Sequence, residues 1–203
     1  MATTKSHISI LASFILVIMI SGCTGKSLPT RYYTLTSTTD TQNLMQENNR
    51  TKNLSIGIGP VKIADYLNQS RIVTRSDVNK IDRAEFDQWS GSLQNNIVNT
   101  LADNIGHFTD TEKVFLHPWR SFVPIDYQVI IEIVRFDGYL GDAVTLEARW
   151  YVMKDKSITN VKRSTISEAV DGPDFMALVA AESKALEKLS LEIAQSILKA
   201  SSK

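Results

Sequence analysis

The sequence predicts an α+β fold: a mostly antiparallel sheet with two long helices packed on one of its faces, in a single domain. Between residues 31 and 170, short segments alternate apolar and polar residues, as half-buried strands do, and turn residues separate them. Two longer segments, starting at Phe86 and Phe175, repeat apolar residues at steps of three and four, the period of a helix. The chain is 43% hydrophobic with only 9 Gly and 5 Pro, which suits one packed core.

The first 22 residues are organised like a secretory signal. Lys5 carries the only full positive charge of a short polar leader, and the run from Ile8 to Ile20 is apolar apart from two serines. This run suits a signal core, because a membrane-spanning helix needs about 20 apolar residues. The small pair Ser21-Gly22 then precedes Cys23, the only cysteine of the chain.

The stretch Ile20-Ser21-Gly22-Cys23 behind such a core resembles the lipobox of bacterial lipoproteins. By that resemblance, residues 1–22 are removed, the sulfur of Cys23 carries a diacylglycerol group and its new amine an acyl chain. No other cofactor is expected. A plain signal peptide followed by an unrelated cysteine, or an uncleaved membrane anchor, are the alternatives. Lipidation gives the lone thiol a role, since it has no partner for an internal disulfide.

Residues 23–30 are then the lipidated cysteine and a short tether, and residues 31–200 form the domain. About eight residues at ~3.3–3.6 Å each reach less than ~30 Å, so the domain stays beside its membrane. The residue after the cysteine is Thr24 and not Asp. By resemblance to enterobacterial lipoproteins, in which Asp at this position retains the protein at the inner membrane, Thr24 favours the periplasmic face of the outer membrane.

Segments rich in β-branched and aromatic residues predict the strands, and the polar stretch between residues 38 and 53 predicts an exposed loop. The expected strands are Arg31–Thr36, Leu54–Ile63, Ile72–Arg75, Val78–Ala84, Lys113–Leu116, Asp126–Phe136, Val144–Val152 and Ile158–Val170. The strand Asp126–Phe136 is apolar on both faces, which predicts a central, covered position in the sheet.

Two apolar stripes predict the helices. The first runs from Phe86 through Trp89 to Ile105, with Gly106 as the expected stop, and it places Trp89 in the core. The second starts at Phe175, after a turn ending in Asp174 that caps it. The stripe of the second helix comprises Phe175, Leu178, Val179, Leu186, Leu189, Ile193 and Ile197.

A set of short motifs recurs in order along the chain behind the lipobox. These are Tyr32-Tyr33-Thr34-Leu35, Ile58-Gly59-Pro60-Val61, Tyr66-Leu67, Arg71-Ile72-Val73-Thr74-Arg75, Phe86-Asp87-Gln88-Trp89 and Leu146-Glu147-Ala148-Arg149-Trp150. Together they resemble the ABC-type transport auxiliary lipoprotein family, in particular its paraquat-inducible protein C branch. The resemblance implies a non-enzymatic lipoprotein that works with an MCE protein and its inner-membrane permease. Such a system moves lipids or other hydrophobic molecules between the two membranes, and the lipoprotein forms its outer-membrane end.

The residues themselves argue against several other functions. Lys and Arg together number 22, as do Asp and Glu, so there is no basic excess to attract nucleic acid. His107 and His117 lack a cysteine or a paired histidine at ligand spacing, so no metal site is expected. Glu132, Glu147 and Arg149 lie on strands, where a cross-strand ion pair is favoured over a charged pocket.

Tyr66, Leu67, Arg71 and Arg75 lie in or beside a turn and are the candidate interface residues, because exposed aromatic and arginine side chains anchor interfaces. Ordinary hairpin structure is the equal alternative. We expect a homo-oligomer, since closed symmetric assemblies are common and a ring matches a ring-shaped MCE partner. Two other functions stay open: an assembly or pilot lipoprotein of another envelope complex, and an envelope hydrolase, for which no nucleophile and base are visible.

Overall fold

The computed structural model describes residues 28–38 and 53–202. The signal peptide, Cys23, Thr24 and most of the polar stretch lie outside the described residues, so the predictions made for them stay predictions. The strands are β1 (Arg31–Tyr33), β2 (Ile56–Ile63), β3 (Arg71–Asp77), β4 (Lys80–Trp89), β5 (Val114–Leu116), β6 (Tyr127–Gly138), β7 (Ala143–Lys154) and β8 (Ser157–Ala169). The helices are α1 (Leu93–Thr109) and α2 (Phe175–Ser201), and a 3-10 turn covers Asp65–Leu67.

The predicted α+β fold is confirmed, but the strands form two mixed sheets. The larger sheet has the order β5-β2-β6-β7-β8, and the smaller has the order β1-β4-β3. Strand β2 runs parallel to both β5 and β6, and β1 runs parallel to β4, whereas β6, β7 and β8 are antiparallel. Parallel pairing requires a long crossover, and the smaller sheet together with α1 supplies it between β2 and the later strands.

Both helices pack on one face of the larger sheet, and the core lies between these layers. The predicted apolar stripe of α1 is buried from Leu93 through Ile97 and Leu101 to Ile105, and that of α2 is buried at Leu186, Leu189 and Ile193. In β6, Tyr127, Val129, Ile131 and Ile133 face the helices and are at most 2% exposed. The strand order confirms the expected central position of β6, but its opposite face is not covered throughout, because Glu132 is exposed there.

The first helix begins later than its stripe predicts. Residues 86 to 89 belong to β4, and Trp89 is 3% exposed, so its core role is confirmed but on a strand. Gly91 then takes a φ of 95°, which a glycine adopts without strain, and the side chain of Ser92 accepts a hydrogen bond from the Asn95 N–H. The turn Ser90-Gly91-Ser92 carries this boundary. The sequence pattern does not show this boundary between strand and helix. Trp89 and Leu93 are four residues apart, as on one helix face, and both side chains are buried in the same core.

The end of α1 was also predicted wrongly. Gly106 lies inside the helix, which continues to Thr109 and ends in a left-handed residue, Asp110, with φ 50°. A Cβ atom at position 106 would lie 3.1 Å from the Thr111 carbonyl oxygen and 3.2 Å from a methyl carbon of Val114. A side chain at this position would require its neighbours to shift by a few tenths of an ångström, so glycine favours the close approach of β5 and is not a stop signal.

Candidate functional site

The predicted interface segment is fastened to the larger sheet by a buried carboxylate. Asp137, near the end of β6, is fully buried and accepts hydrogen bonds from the Tyr66 hydroxyl at 2.6 Å and from Arg75 Nε at 2.6 Å. Arg135 Nε donates to the same carboxylate at 2.9 Å. The cluster of these four residues, which we call the Asp137 cluster, joins β3 of the smaller sheet to β6 of the larger one.

The electrostatics of the Asp137 cluster favour the charged carboxylate. Burial alone raises the pKa of Asp137, but the hydrogen bonds from Arg75, Tyr66 and Arg135 outweigh it and hold this pKa below its ordinary value. Burial, followed by the hydrogen bond to Asp137, raises the pKa of Tyr66 and keeps its hydroxyl protonated as a donor. The cluster is thus a satisfied ion network that holds the residue 64–75 segment in place.

A second carboxyl group close to this cluster lacks such partners. Glu182 lies on α2 and is 1% exposed, and its Oε2 atom has no hydrogen-bond partner among the described residues. Burial and the negative charge of Asp137 raise the pKa of Glu182 well above its ordinary value. Burial therefore favours the protonated, neutral form of Glu182, which packs between the helix layer and the sheet.

A separate cluster holds the first strand, from which the predicted tether leaves. Arg31 Nε and one of its terminal nitrogens donate to the two oxygens of Asp87 at 2.7 and 2.8 Å, and the Tyr33 hydroxyl donates to Asp87 at 2.7 Å. The Asp87 side chain is 3% exposed, and these donors lower its pKa, led by Arg31. Burial and the bond to Asp87 raise the pKa of Tyr33 to about 12.

Past β1, the chain is fixed to both helices by side-chain hydrogen bonds. The Thr34 hydroxyl donates to Asn96 on α1 at 2.6 Å, and the Thr36 N–H donates to Ser183 on α2 at 3.2 Å. The Thr38 N–H donates to Asn104 on α1 at 2.8 Å. Leu35, between them, is buried in the core, so residues 34–38 strap the two helices together.

Each of the four candidate interface residues now has a structural position. Leu67 is 1% exposed and packs in the core, and Tyr66 and Arg75 are engaged with Asp137. Arg71 is exposed at the start of β3 and forms no ion pair within the described part of the chain. Contacts within the domain therefore support the hairpin interpretation for Leu67, Tyr66 and Arg75. An interface at this surface stays a prediction, and Arg71 is the member whose side chain is free to reach a partner.

The other residues considered from the sequence have structural partners. Arg149 pairs with Glu132 at 3.3 Å, and Arg163 pairs with Glu147 at 2.9 Å, which confirms the expected ion pairs on the open face of the sheet. Within residues 28–38 and 53–202, no group of three or more His, Cys, Asp or Glu side chains is placed to hold a metal ion. No helix in the described residues is long and apolar enough to cross a membrane.

Sequence reasoning missed the three carboxyl groups that are buried in the described part of the chain. Glu182 carried a usable signal, because it lies four residues after Leu178 and four before Leu186 and so shares their buried helix face. Asp137 and Asp87 carried no such signal. Their partners Arg75 and Arg31 are 62 and 56 residues away in the chain, and the pairing depends on strand contacts that local periodicity does not encode.

Comparison with solved structures finds the same fold in other proteins. A crystal structure of an uncharacterized protein matches with a TM-score of 0.67 and 17% identity, covering 84% of this chain and 99% of the other. A Xanthomonas campestris protein of the family DUF330 matches with a TM-score of 0.66 and 15% identity, covering 85% of this chain and 100% of the other. At these identities the likeness concerns the fold alone. Comparison with curated proteins finds no significant match.

The family comparison covers most of the described domain. The model of the ABC-type transport auxiliary lipoprotein component matches residues 33–194, from the second tyrosine of β1 to the last third of α2. This range includes the strap, the whole of α1 and most of α2. Of the two carboxylate-centred clusters, only Arg31 lies outside it. The resemblance seen in the sequence motifs is thereby confirmed. The chain belongs to the family of ABC-type transport auxiliary lipoprotein components.

Proposed function

We propose that this protein is the outer-membrane end of an MCE-type transport system that carries lipids or other hydrophobic molecules between two membranes. The family match over residues 33–194 is the observation that carries the proposal. In this proposal, the protein is an adaptor without catalytic activity, and acyl chains on Cys23 hold it at the periplasmic face of the outer membrane. Its partners are an MCE protein and the permease bound to that protein in the inner membrane.

The attachment of β1 supports a domain held close to its membrane. Arg31 is only eight positions after Cys23, a reach of less than ~30 Å. Arg31 is then fixed to the buried Asp87, and residues 34–38 are fixed to both helices. A force on the tether therefore acts on a strand that is locked into the domain. The domain stays beside the membrane, and a long partner must cross the periplasm to meet it.

Homo-oligomerisation is part of the proposal. A ring-shaped conduit is matched most simply by a ring of identical subunits, because every copy then presents the same surface to it. Arg71 is our candidate contact, since it is exposed and uninvolved in ion pairs within the described residues. Light scattering on the detergent-solubilised protein tests this part: an oligomer is expected, and a strict monomer at high micromolar concentration contradicts it.

Site-specific photo-crosslinking in intact cells tests the proposed partner. A photoreactive amino acid replaces Arg71 in the full-length protein, and in a matched control it replaces Lys113, an exposed residue beyond α1. The expected result is a crosslink from position 71 to an MCE protein, which is lost when Cys23→Ala prevents anchoring. Crosslinks only to components of another envelope machine favour the assembly or pilot lipoprotein, and they contradict the proposal.

A further inference from the structure

The C-terminal end of α2 and the β7–β8 hairpin enclose an open groove of about 810 Å³. Its lining contains three lysines and no acidic residue. The lining residues are Lys154, Thr159, Asn160, Lys162, Gln195, Ser196, Lys199 and Ala200. We call it the lysine groove. It lies on the helix side of the larger sheet, far along α2 from Glu182 and outside both carboxylate-centred clusters.

Two of these lysines are placed by buried aromatic rings. Lys154 Nζ lies 5.5 Å from the centre of the Tyr127 ring, and Lys162 Nζ lies 5.5 Å from the centre of the Trp150 ring. Both rings are at most 2% exposed, so they are fixed parts of the core. A cation over an aromatic face is attracted to it, which favours positions of the two exposed lysine side chains beside the groove.

The charges of the lysine groove are not neutralised by the protein. Among the described residues, the three lysines of the groove have no carboxylate within 4.0 Å. On α2, the helix that carries Lys199, the lysines at 184 and 188 do have such partners, Asp171 and Glu168. The nearest acid along α2, Glu192, is one turn before Ser196 and accepts a hydrogen bond from Ser164 at 2.5 Å. Three positive charges thus line one groove, and none of them has an ion-pair partner within 4.0 Å among the described residues.

Neutral hydrogen-bonding groups complete the lining. Asn160 Nδ2 donates to Ser196 Oγ at 3.0 Å, and the Thr159 hydroxyl donates to the Val152 carbonyl oxygen at 3.0 Å. These bonds fix the side chains and leave the Asn160 carbonyl oxygen and one amide hydrogen, as well as Gln195, for a ligand. A volume of this size is typical of small-molecule sites and accommodates a phospholipid headgroup.

We propose that the lysine groove binds a phosphate-bearing anion, either the headgroup of an anionic phospholipid or free phosphate. Phosphate accepts several hydrogen bonds, and its negative charge would balance the three ammonium groups that line the groove. Binding is electrostatic and takes place at an open site, so added salt weakens it. The site itself stands without the proposed transport function, because it rests only on contacts within this chain.

The test uses the mature lipidated protein purified in a nonionic detergent and isothermal titration calorimetry. The probes are dihexanoyl phosphatidylglycerol, which is anionic, its zwitterionic phosphatidylcholine counterpart, and inorganic phosphate. We expect the anionic lipid to bind more tightly than the zwitterionic one. The double variant Lys154→Gln/Lys199→Gln should weaken binding of the anionic lipid by about tenfold. It removes two positive charges whose attraction to the anion is partly screened by water in the open groove. Lys162 stays unchanged in this variant so that one of the two lysines that lie over buried rings remains in place.

A control variant, Lys62→Gln/Lys113→Gln, makes the same change in net charge at exposed positions away from the groove. It should bind like the unaltered protein, and Lys154→Arg/Lys199→Arg should retain binding. Competition by inorganic phosphate identifies the phosphate group as the ligand, and anionic-lipid binding without competition identifies the whole headgroup. Equal weakening in the glutamine and control variants overturns the proposal, and so does equal affinity for both lipids without binding of inorganic phosphate. Matching urea midpoints for all variants exclude loss of folding as the cause.

Discussion

The surroundings of three buried carboxyl groups decide their charge. Asp137 and Asp87 each accept hydrogen bonds from arginine and tyrosine, which lower their pKa values, whereas Glu182 has an oxygen without a partner among the described residues and burial raises its pKa. The two kinds oppose each other in their effect on stability. Lowered pKa values of Asp137 and Asp87 give stability above about pH 4 that is lost as the pH falls. The raised pKa of Glu182 gives stability at low pH that is lost as the pH rises.

Replacing Glu182 therefore changes the pH dependence of folding. Above about pH 4.5 the unfolded chain releases this proton while the folded chain keeps it, so the free energy of unfolding falls by about 1.4 kcal/mol for each pH unit up to the folded-state pKa. Glu182→Gln removes this loss. Urea melts between pH 5 and pH 8 should show the variant gaining stability relative to the unaltered protein as the pH rises.

Glu187→Gln on the same helix is the control for this measurement, because Glu187 is not buried. It should follow the unaltered protein across the whole pH range. A constant difference between Glu182→Gln and the unaltered protein from pH 5 to pH 8 would show that Glu182 is ionised in the folded domain.

The contact between Tyr66 and Asp137 separates the hairpin role of Tyr66 from an interface role. Tyr66→Phe removes the hydroxyl that donates to this buried carboxylate, and a hydrogen bond to a charged group contributes about 1.5–3 kcal/mol. We expect the free energy of unfolding to fall by that amount. Arg71→Ala, at an exposed position nearby, should change it by less than ~0.5 kcal/mol. If Tyr66→Phe leaves the urea midpoint unchanged, the Asp137 cluster is not a structural clamp.

At the scale of elements, the sequence predicts both helices and most strands. It fails at the boundary where the apolar pattern of a strand continues into that of a helix without a break in spacing. The step from Trp89 to Leu93 fits a helix although a strand ends between them, and only Gly91 and the cap Ser92 mark the change. Gly106 resembles a stop signal in the sequence, but the helix continues for three more residues before the chain turns back, so that Thr111 and Val114 approach this glycine. The local apolar pattern indicates which face of an element is buried, but it does not indicate which other element packs against that face.

Helix α2 closes the core, and its buried stripe should dominate its contribution to stability. Leu189 is fully buried, so Leu189→Ala removes methyl groups and leaves a cavity, at a cost of about 2–5 kcal/mol. Lys184 is a suitable control, because it is exposed and its ion-pair partner Asp171 is 81% exposed. Lys184→Ala should stay within roughly ±0.5 kcal/mol. Similar losses for both variants in urea melts would mean that the stripe does not face the core.

At the scale of the whole molecule, the division into two sheets was beyond the sequence. The parallel pairing of β1 with β4 joins residues 56 positions apart, and no turn or period signals it. The family resemblance, in contrast, was visible in short motifs. Several of their residues are structural: Tyr33 and Asp87 form one cluster, and Tyr66 and Arg75 belong to the other.

Lipidation is the prediction on which the position of the molecule in the cell depends. Mass spectrometry of the mature N-terminus should find Cys23 as the first residue, carrying a diacylglycerol group and an N-acyl chain. Cys23→Ala should abolish this modification. Membrane fractionation should place the protein in the outer membrane, and Thr24→Asp should shift it toward the inner membrane in a host that follows the enterobacterial rule. An unmodified Cys23, or native protein found only in the inner membrane, refutes the anchoring scheme.

Vesicle co-sedimentation tests the central claim, that this lipoprotein is the membrane-held docking partner of an MCE conduit. The mature lipidated protein is inserted into phosphatidylcholine vesicles, and the purified periplasmic region of the MCE protein from the same organism is added. The account predicts that the MCE protein sediments with these vesicles and stays in solution with empty vesicles or with vesicles carrying an unrelated lipoprotein. An MCE protein that stays in solution in all three cases, while the lipoprotein remains folded and inserted, contradicts the account.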